Sequence, residues 1–266
     1  MNIYLKLTEE FNAGRLRAIV TSGQAVVLHR LAVMSKDGDW ILREDQEALD
    51  HVLGVLEQHH AVYRFGAPLD LRWLRHGWSS HLAFRVGDLR VRTDFFTRPP
   101  RVSAKDLERL WREQKGREPP LVDKRTLIEV KKTNREKDYA VIGELARLLE
   151  DPRDQLLCSR SARDLIALAE QHPQLSQDLQ RTRPLLAIAA AGREQLEQAL
   201  DAERRSLMRV NEERINAYLE AAATWRQLWT ELQRDGELSL LSDSHRRLVA
   251  AAQGCLPFEV VGGWTE

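Results

Sequence analysis

The sequence predicts an α+β fold, a small mixed sheet with flanking helices followed by an all-helical C-terminal domain. Three observations predict it. Up to Glu150 the order is mixed (helix, strand, helix, strand, helix, strand, hairpin, helices), as expected of a small mixed sheet with helices packed on it. Gly87-Asp88 separates two β-rich runs and reads as a hairpin turn. Beyond Asp151-Pro152 the strand signals stop, and apolar residues recur at spacings of three and four. The 266 residues suffice for one large or two modest domains. We expect domains over 1–155 and 156–266.

Taken in order, residues 1–14 read as a helix ending at Gly14. Residues 16–20 are a strand running into Thr21-Ser22-Gly23, 24–33 a compact apolar helix, and 36–42 a returning strand. A polar helix over 44–60 has Ala48, Val52, Val55 and Leu56 on its apolar face. A strand over 61–65 and a short helix over 68–75 follow, with Pro68 near the first turn of the latter. The hairpin strands are 82–86 and 89–96. Residues 104–114 are a charged helix and 116–120 a loop, and 126–132 and 138–149 are helical in pattern. In the second part, 161–172 and 193–234 are helical. There Ile215, Tyr218, Leu219, Ala222, Trp225, Trp229 and Leu232 share one face. Such a stripe belongs to a helix-bundle core, with 161–172 and 184–205 as the expected neighbours. The tail, 256–263, reads as strand or loop.

Composition bounds the function classes. With 43% hydrophobic and 30% charged residues, the chain reads as an ordinary globular protein. No apolar run approaches the ~20 residues that a membrane-spanning helix needs. The N-terminus carries acidic residues where a signal peptide would be apolar. The expectation is a cytoplasmic protein without a membrane partner. Cys158 and Cys255, the two cysteines, form no metal-ligand spacing and read as buried or idle thiols. Net charge is zero but unevenly spread: residues 85–137 hold 16 Lys and Arg against 9 Asp and Glu, an excess of +7. That excess suits a polyanionic ligand such as a nucleotide or RNA, or equally an Arg-rich solvated surface.

The informative stretch is Ser22-Gly23, thirteen further residues, then Asp37-Gly38-Asp39. A strand ends at Ser22-Gly23 and a helix begins there. Glycine allows close backbone approach, and free N–H groups at a helix start suit a phosphate. Asp37 and Asp39 are two apart on a strand, so they share a face. Two carboxylates so close repel unless a cation lies between them, and a hard divalent cation is the natural solution. Asp94 lies in a β-rich run among Val91, Thr93, Phe95 and Phe96, where a lone carboxylate is costly to bury unpaired. If the strands are neighbours, Asp94 completes a three-carboxylate cluster.

The stretch SGQAVVLHRLAVMSKDGDWIL resembles the signature of the nucleotidyltransferase superfamily that includes DNA polymerase beta. There a Gly-Ser or Gly-Gly pair precedes an Asp-x-Asp, and a third Asp lies on a later strand. VKKTNREKDYAVIGEL resembles a Lys-x-x-Arg-x-Lys-Asp helix of bacterial nucleotidyltransferase-like proteins related to abortive-infection toxin subunits. The resemblance covers roughly residues 15–150. It implies a nucleotidyltransferase fold and Mg²⁺-dependent (or Mn²⁺-dependent) transfer of a nucleotide from an NTP to a hydroxyl. The acceptor would be RNA (including tRNA), a protein or a small molecule. It also implies a toxin-type role with a cognate antitoxin. By position, Asp37, Asp39 and Asp94 would be catalytic and hold the metal, with Asp94 a candidate base. Ser22, Gly23, Lys36, Lys132, Arg135 and Lys137 would contact the nucleotide, with Asp138 orienting one of the cations. The sequence departs from the pattern in two places: Gly38 stands where the family has an apolar residue, and the leading pair is Ser-Gly.

Weaker signals remain. His59-His60, and His76 with His81, lack the H-E-x-x-H context and read as surface or core histidines. Lys131-Lys132-Thr133 lacks the glycines of a Walker loop. Arg98-Pro99-Pro100-Arg101 reads as a strand exit, with a grip on RNA as the alternative. Two function classes stand: a metal-dependent nucleotidyltransferase, and a non-catalytic module of the same fold that binds nucleic acid or a protein.

Overall fold

In a computed structural model, the structure describes residues 2–234 and 240–263. Met1, the first residue of the expected 1–14 helix, lies outside the described residues, as do 235–239 and 264–266 of the expected C-terminal domain. Contacts divide the chain into two compact units, Met1–Val122 with Arg214–Glu266, and Asp123–Glu213. This division differs from the one expected at 155/156.

The first unit is built on a five-stranded mixed sheet. Its strands are β1 (Ala18–Thr21), β2 (Asp37–Leu42), β3 (Val62–Tyr63), β4 (Ser80–Val86) and β5 (Leu89–Phe96). Their order in the sheet is β1-β2-β5-β4-β3. β1 runs antiparallel to β2, β2 parallel to β5, and β4 antiparallel to β5 and β3. The β4–β5 hairpin turns at Gly87-Asp88 as expected. Gly87 takes φ 57°, which a two-residue turn with Gly at its first position requires. β1 does not present an open edge: Val20 N–H donates to Pro120 O, and Val122 N–H donates to Val20 O, both at 3.0 Å, so a passing segment covers it.

Helices flank the sheet. α1 (Ile3–Phe11), α2 (Ser22–Leu28), α3 (Gln46–Gln58), α4 (Leu71–Leu74) and α5 (Ala104–Glu113) precede the second unit. Several start where a short polar side chain caps the first turn: Asp45 accepts from Ala48 N–H and Ser103 from Asp106 N–H. Each such cap contributes about 1 kcal/mol. α2 is seven residues, shorter than the expected 24–33. After Leu28 the chain leaves the helix, and residues 29–36 form the return to β2.

One face of the sheet carries the main core. Trp40 stacks on Phe95 at 5.5 Å, and Phe11 of α1 meets both rings edge-on at 5.2 and 5.7 Å. Leu7, Leu49, Val52, Leu56, Trp73 and Leu82 join them. The apolar face expected of 44–60 is therefore buried as its period demands.

The second unit is helical: α6 (Lys124–Lys131), α7 (Glu136–Arg147), α8 (Pro152–Cys158), α9 (Ala162–Gln171), α10 (Pro173–Leu179), a 3-10 turn over Pro184–Ile188, and the first part of α11 (Arg193–Ala221). Leu156, Leu165, Leu179, Leu186 and Leu196 form its own core. Arg183, almost fully buried, donates to Leu156 O, Ser159 O and Glu203. Buried charge is thus paired and hydrogen-bonded, as desolvation requires.

The chain then returns to the first unit through the rest of α11, α12 (Ala223–Arg234) and α13 (Leu241–Gln253). Here the Tyr/Trp stripe corrects the sequence reading. Ala222, Trp225 and Trp229 are buried in the sheet-backed core of the first unit, with Tyr218 and Leu232 packed on its margin. The expected neighbours 161–172 and 184–205 contribute instead to the second unit's own core, and Leu219 is 44% exposed. The expected 193–234 helix is interrupted at Ala222. The tail is non-helical and contains no strand among the described residues.

Candidate functional site

The three expected aspartates lie on adjacent strands and on one face. Asp37 and Asp39 alternate along β2, and the parallel pairing sets Asp39 opposite Asp94 and Asp37 opposite Arg92. Residues paired in register share a face, so the polar face carries Asp37, Asp39 and Asp94. The intervening Gly38, Trp40, Thr93 and Phe95 face the other way, and all are buried. The pairing of β4 with β5 adds His81, opposite Asp94, and β1 adds Thr21, opposite Asp39.

Side-chain partners then define the electrostatics. Asp94 Oδ1 accepts from Arg64 Nη1 at 3.0 Å and lies 2.7 Å from His81 Nδ1. The other ring nitrogen of His81, Nε2, lies 3.0 Å from Ser79 Oγ. Asp37 Oδ1 lies 3.5 Å from Arg92 Nη1. Asp37 and Asp94 therefore each have a guanidinium beside them. Among the described residues, no group of three or more His, Cys, Asp or Glu side chains is placed to hold one metal ion. Thr21 Oγ1 is fully buried without a hydrogen-bond partner. Such an orphan hydroxyl is uncommon in a folded chain and calls for an explanation.

The Asp-x-Asp strand is held from α1. Tyr4 Oη donates to Lys36 O at 2.6 Å, and Trp40 Nε1 donates to Thr8 Oγ1 at 3.0 Å. Gly38 exists for this packing. A Cβ there would stand 2.5 Å from Tyr4 Cδ1 and 2.7 Å from Trp40 Cζ3, so an apolar side chain between the two aspartates has no room. Burial pushes the Tyr4 phenol above its ordinary pKa, and the charges of Asp37 and Asp39 push it the same way.

The leading Ser22-Gly23 pair behaves differently from the expectation of an open phosphate seat. Ser35 Oγ occupies the place that a Cβ on Gly23 would take, so this glycine accommodates the returning chain. Gln24 fastens that return, donating from Nε2 to Ser35 O at 3.1 Å and to Asp37 O at 3.2 Å. Ser22 has φ 49°, a left-handed conformation that costs an L-residue about 1–2 kcal/mol. Lys36 is exposed beside Asp37.

Lys132, Arg135 and Lys137 belong to the second unit. Lys132 Nζ donates to both oxygens of Glu129 at 2.8 and 2.7 Å. Arg135 donates to Asp138 at 2.8 Å, and Lys137 is exposed in the first turn of α7. Asp138 also holds the buried Lys131 at 3.2 Å and accepts from Thr133 Oγ1 at 2.6 Å. Much of the basic excess in 85–137 is likewise paired: Arg92, Arg98, Arg125, Lys131, Lys132 and Arg135 each have a carboxylate neighbour.

Sequence reasoning missed Ser79, Arg64 and Gln24, and read His81 as a surface or core histidine. A signal for His81 existed. A two-residue turn at 87–88 fixes the hairpin register and sets position 81 opposite 94, and Ser-x-His shares a face on an extended chain. Cys158 and Cys255 are free thiols, and burial raises the pKa of both. Among the described residues no helix is long and apolar enough to cross a membrane. The chain matches no protein-family model, no curated protein and no solved structure.

Proposed function

We propose that this chain is a Mg²⁺-dependent (or Mn²⁺-dependent) nucleotidyltransferase that moves a nucleotide from an NTP to a hydroxyl on RNA, a protein or a small molecule. The observation that carries this reading is the register of β2 with β5, which sets Asp37, Asp39 and Asp94 on one face of a mixed sheet. The donor set suits a hard cation. Mg²⁺ commonly takes one or two protein carboxylates and completes its shell with water and substrate phosphates, which matches the Asp37–Asp39 pair better than a closed three-carboxylate cage. When bound, the ion would neutralise the triphosphate and polarise the reacting phosphorus.

The residues of the chain have separable tasks. Asp37 and Asp39 would hold the cation. Tyr4, Trp40 and Gln24 keep their strand in place through the bonds described above. Thr21 would offer its orphan hydroxyl beside Asp39. Arg64 and Arg92 would supply positive charge for phosphate oxygens on the same face. A toxin-type role with a cognate antitoxin rests on the resemblance of residues 130–145 alone.

A second reading has its own observation. Arg92 and Arg64 lie against Asp37 and Asp94, as they would in a non-catalytic module that keeps the fold and binds nucleic acid or a protein. One experiment separates the two. The full chain is incubated with α-³²P-labelled NTPs, Mg²⁺ and total RNA or cell lysate, and the label is followed. The first reading expects label on an acceptor, lost with EDTA and in Asp39→Asn. No transfer to any acceptor favours the module.

A further inference from the structure

Ser79 and His81 join Asp94 in a connected relay, and the nucleotidyl-transfer reading gives the serine and the histidine no task. Asp94 as a carboxylate only accepts hydrogen bonds, so its 2.7 Å contact fixes the proton of a neutral imidazole on Nδ1. Nε2 is then left as an acceptor, and the Ser79 hydroxyl 3.0 Å away is its donor. A hydroxyl on one ring nitrogen and a carboxylate on the other is the arrangement that activates serine nucleophiles on unrelated folds.

The imidazole is also confined. Gly66 lies against the ring, and a Cβ there would stand 2.6 Å from His81 Cδ2 and 3.1 Å from Ser79 O. The backbone of Gly66 is itself fixed by Trp225 Nε1, which donates to Gly66 O at 2.9 Å. Ala67 N–H donates to Ser79 O at 3.1 Å, which holds the serine backbone. Arg64 donates to the same oxygen of Asp94, Oδ1, at 3.0 Å. Ser79 and His81 are both partly exposed, so the hydroxyl can meet a ligand.

We propose that Ser79 is a nucleophile toward phosphorus electrophiles, phosphate esters or anhydrides, with His81 as its base and Asp94 as the residue that positions His81. In the step, the Ser79 Oγ–P bond forms as the bond from phosphorus to the leaving group breaks. The leaving group takes that electron pair, and the Oγ proton passes to His81 Nε2. Arg64, partly exposed beside the relay, suits phosphate oxygens. The choice of an NTP as the natural electrophile rests on the preceding reading: pyrophosphate would then leave, and Ser79 would carry the nucleotide. The nucleophile itself does not depend on that choice.

The test uses the full chain and a fluorophosphonate probe, from which fluoride leaves, with and without EDTA. Label is expected on the peptide containing Ser79, independent of EDTA and lost in Ser79→Ala. Labelling slows by about 100-fold or more in His81→Asn and falls strongly in Asp94→Asn, which keeps the shape but no longer fixes the tautomer. Melting temperatures of the variants are measured alongside. Absence of label on the native chain, label that survives Ser79→Ala, or a folded His81→Asn that labels at the native rate would overturn the proposal. A parallel incubation with α-³²P-ATP and Mg²⁺ separates the two claims. Nucleotide on Ser79 supports both. Fluorophosphonate label without nucleotide on Ser79 supports the nucleophile and removes the NTP as its electrophile.

Discussion

Gly38 looks out of place between two aspartates on a strand, since glycine weakens a strand by entropy and by lost packing. The rings of Tyr4 and Trp40 fill the space a side chain would take. Gly38→Ala must push two packed aromatics apart, and we expect a loss of about 1–3 kcal/mol. Urea unfolding should show the lower midpoint with an unchanged slope. The aspartates on the opposite face make a second prediction. A bare triphosphate is repelled by Asp37 and Asp39, so ATP should bind more tightly with Mg²⁺ than with EDTA, and Asp39→Asn should narrow that difference. Calorimetry reads both, and equal affinity in the native chain would place the nucleotide elsewhere. The shared face of the two aspartates was legible because a strand has period two. The reason for Gly38 was not, because Tyr4 reaches it from 34 residues away in the chain.

At the scale of elements, the turn between α6 and α7 shows how a motif can be legible while its task is not. The sequence marks Lys132, Arg135 and Lys137 as cations for a ligand, yet the structure spends Lys132 and Arg135 on Glu129 and Asp138. Burial raises the Asp138 pKa, but the Thr133 hydrogen bond and the charges of Lys131 and Arg135 outweigh it, so the carboxyl lies below its ordinary value. A depressed folded pKa adds stability above the unfolded value, about 3.9, and that stability is lost as pH falls through the folded value. We therefore expect acid to loosen the α6–α7 turn below about pH 4. Asp138→Ala should cost about 3 kcal/mol or more at neutral pH, because it strands the buried Lys131, and should flatten the acid dependence. Amide exchange within α6 and α7 reads both effects. The hairpin is the contrary case: one Gly-Asp turn sets the register of β4 and β5, and with it the meeting of His81 and Asp94.

For the molecule as a whole, the sequence says which helix face must be buried but not against what. The stripe from Tyr218 to Leu232 satisfies a bundle and a sheet-backed core equally well, because periodicity reports burial and carries no partner. The structure gives the C-terminal stretch to the first unit. Ala222, Trp225, Trp229, Leu241, Leu248, Ala252 and Leu256 are buried in the same cluster as Phe11, Trp40 and Phe95. The polar tips agree: Trp73 Nε1 donates to Leu256 O at 3.1 Å, Trp78 Nε1 to Phe258 O at 3.0 Å, and Tyr63 Oη lies 2.7 Å from His245 Nδ1. Burying one large apolar side chain contributes about 1.5–3 kcal/mol, while a domain is stable by only about 5–15 kcal/mol. Removing two tryptophans and three leucines from one core therefore takes away as much as the fold has to spare. It also leaves the Trp73 and Trp78 indoles without their acceptors. A chain that stops at Glu150 should consequently fail to fold, although it retains β1 to β5 and all three aspartates. Near-UV circular dichroism and amide dispersion by NMR are expected to show a collapsed or unfolded polypeptide without fixed tryptophan packing. A dispersed spectrum with native tryptophan signals from residues 1–150 would mean that the returning helices only lie on a core already complete.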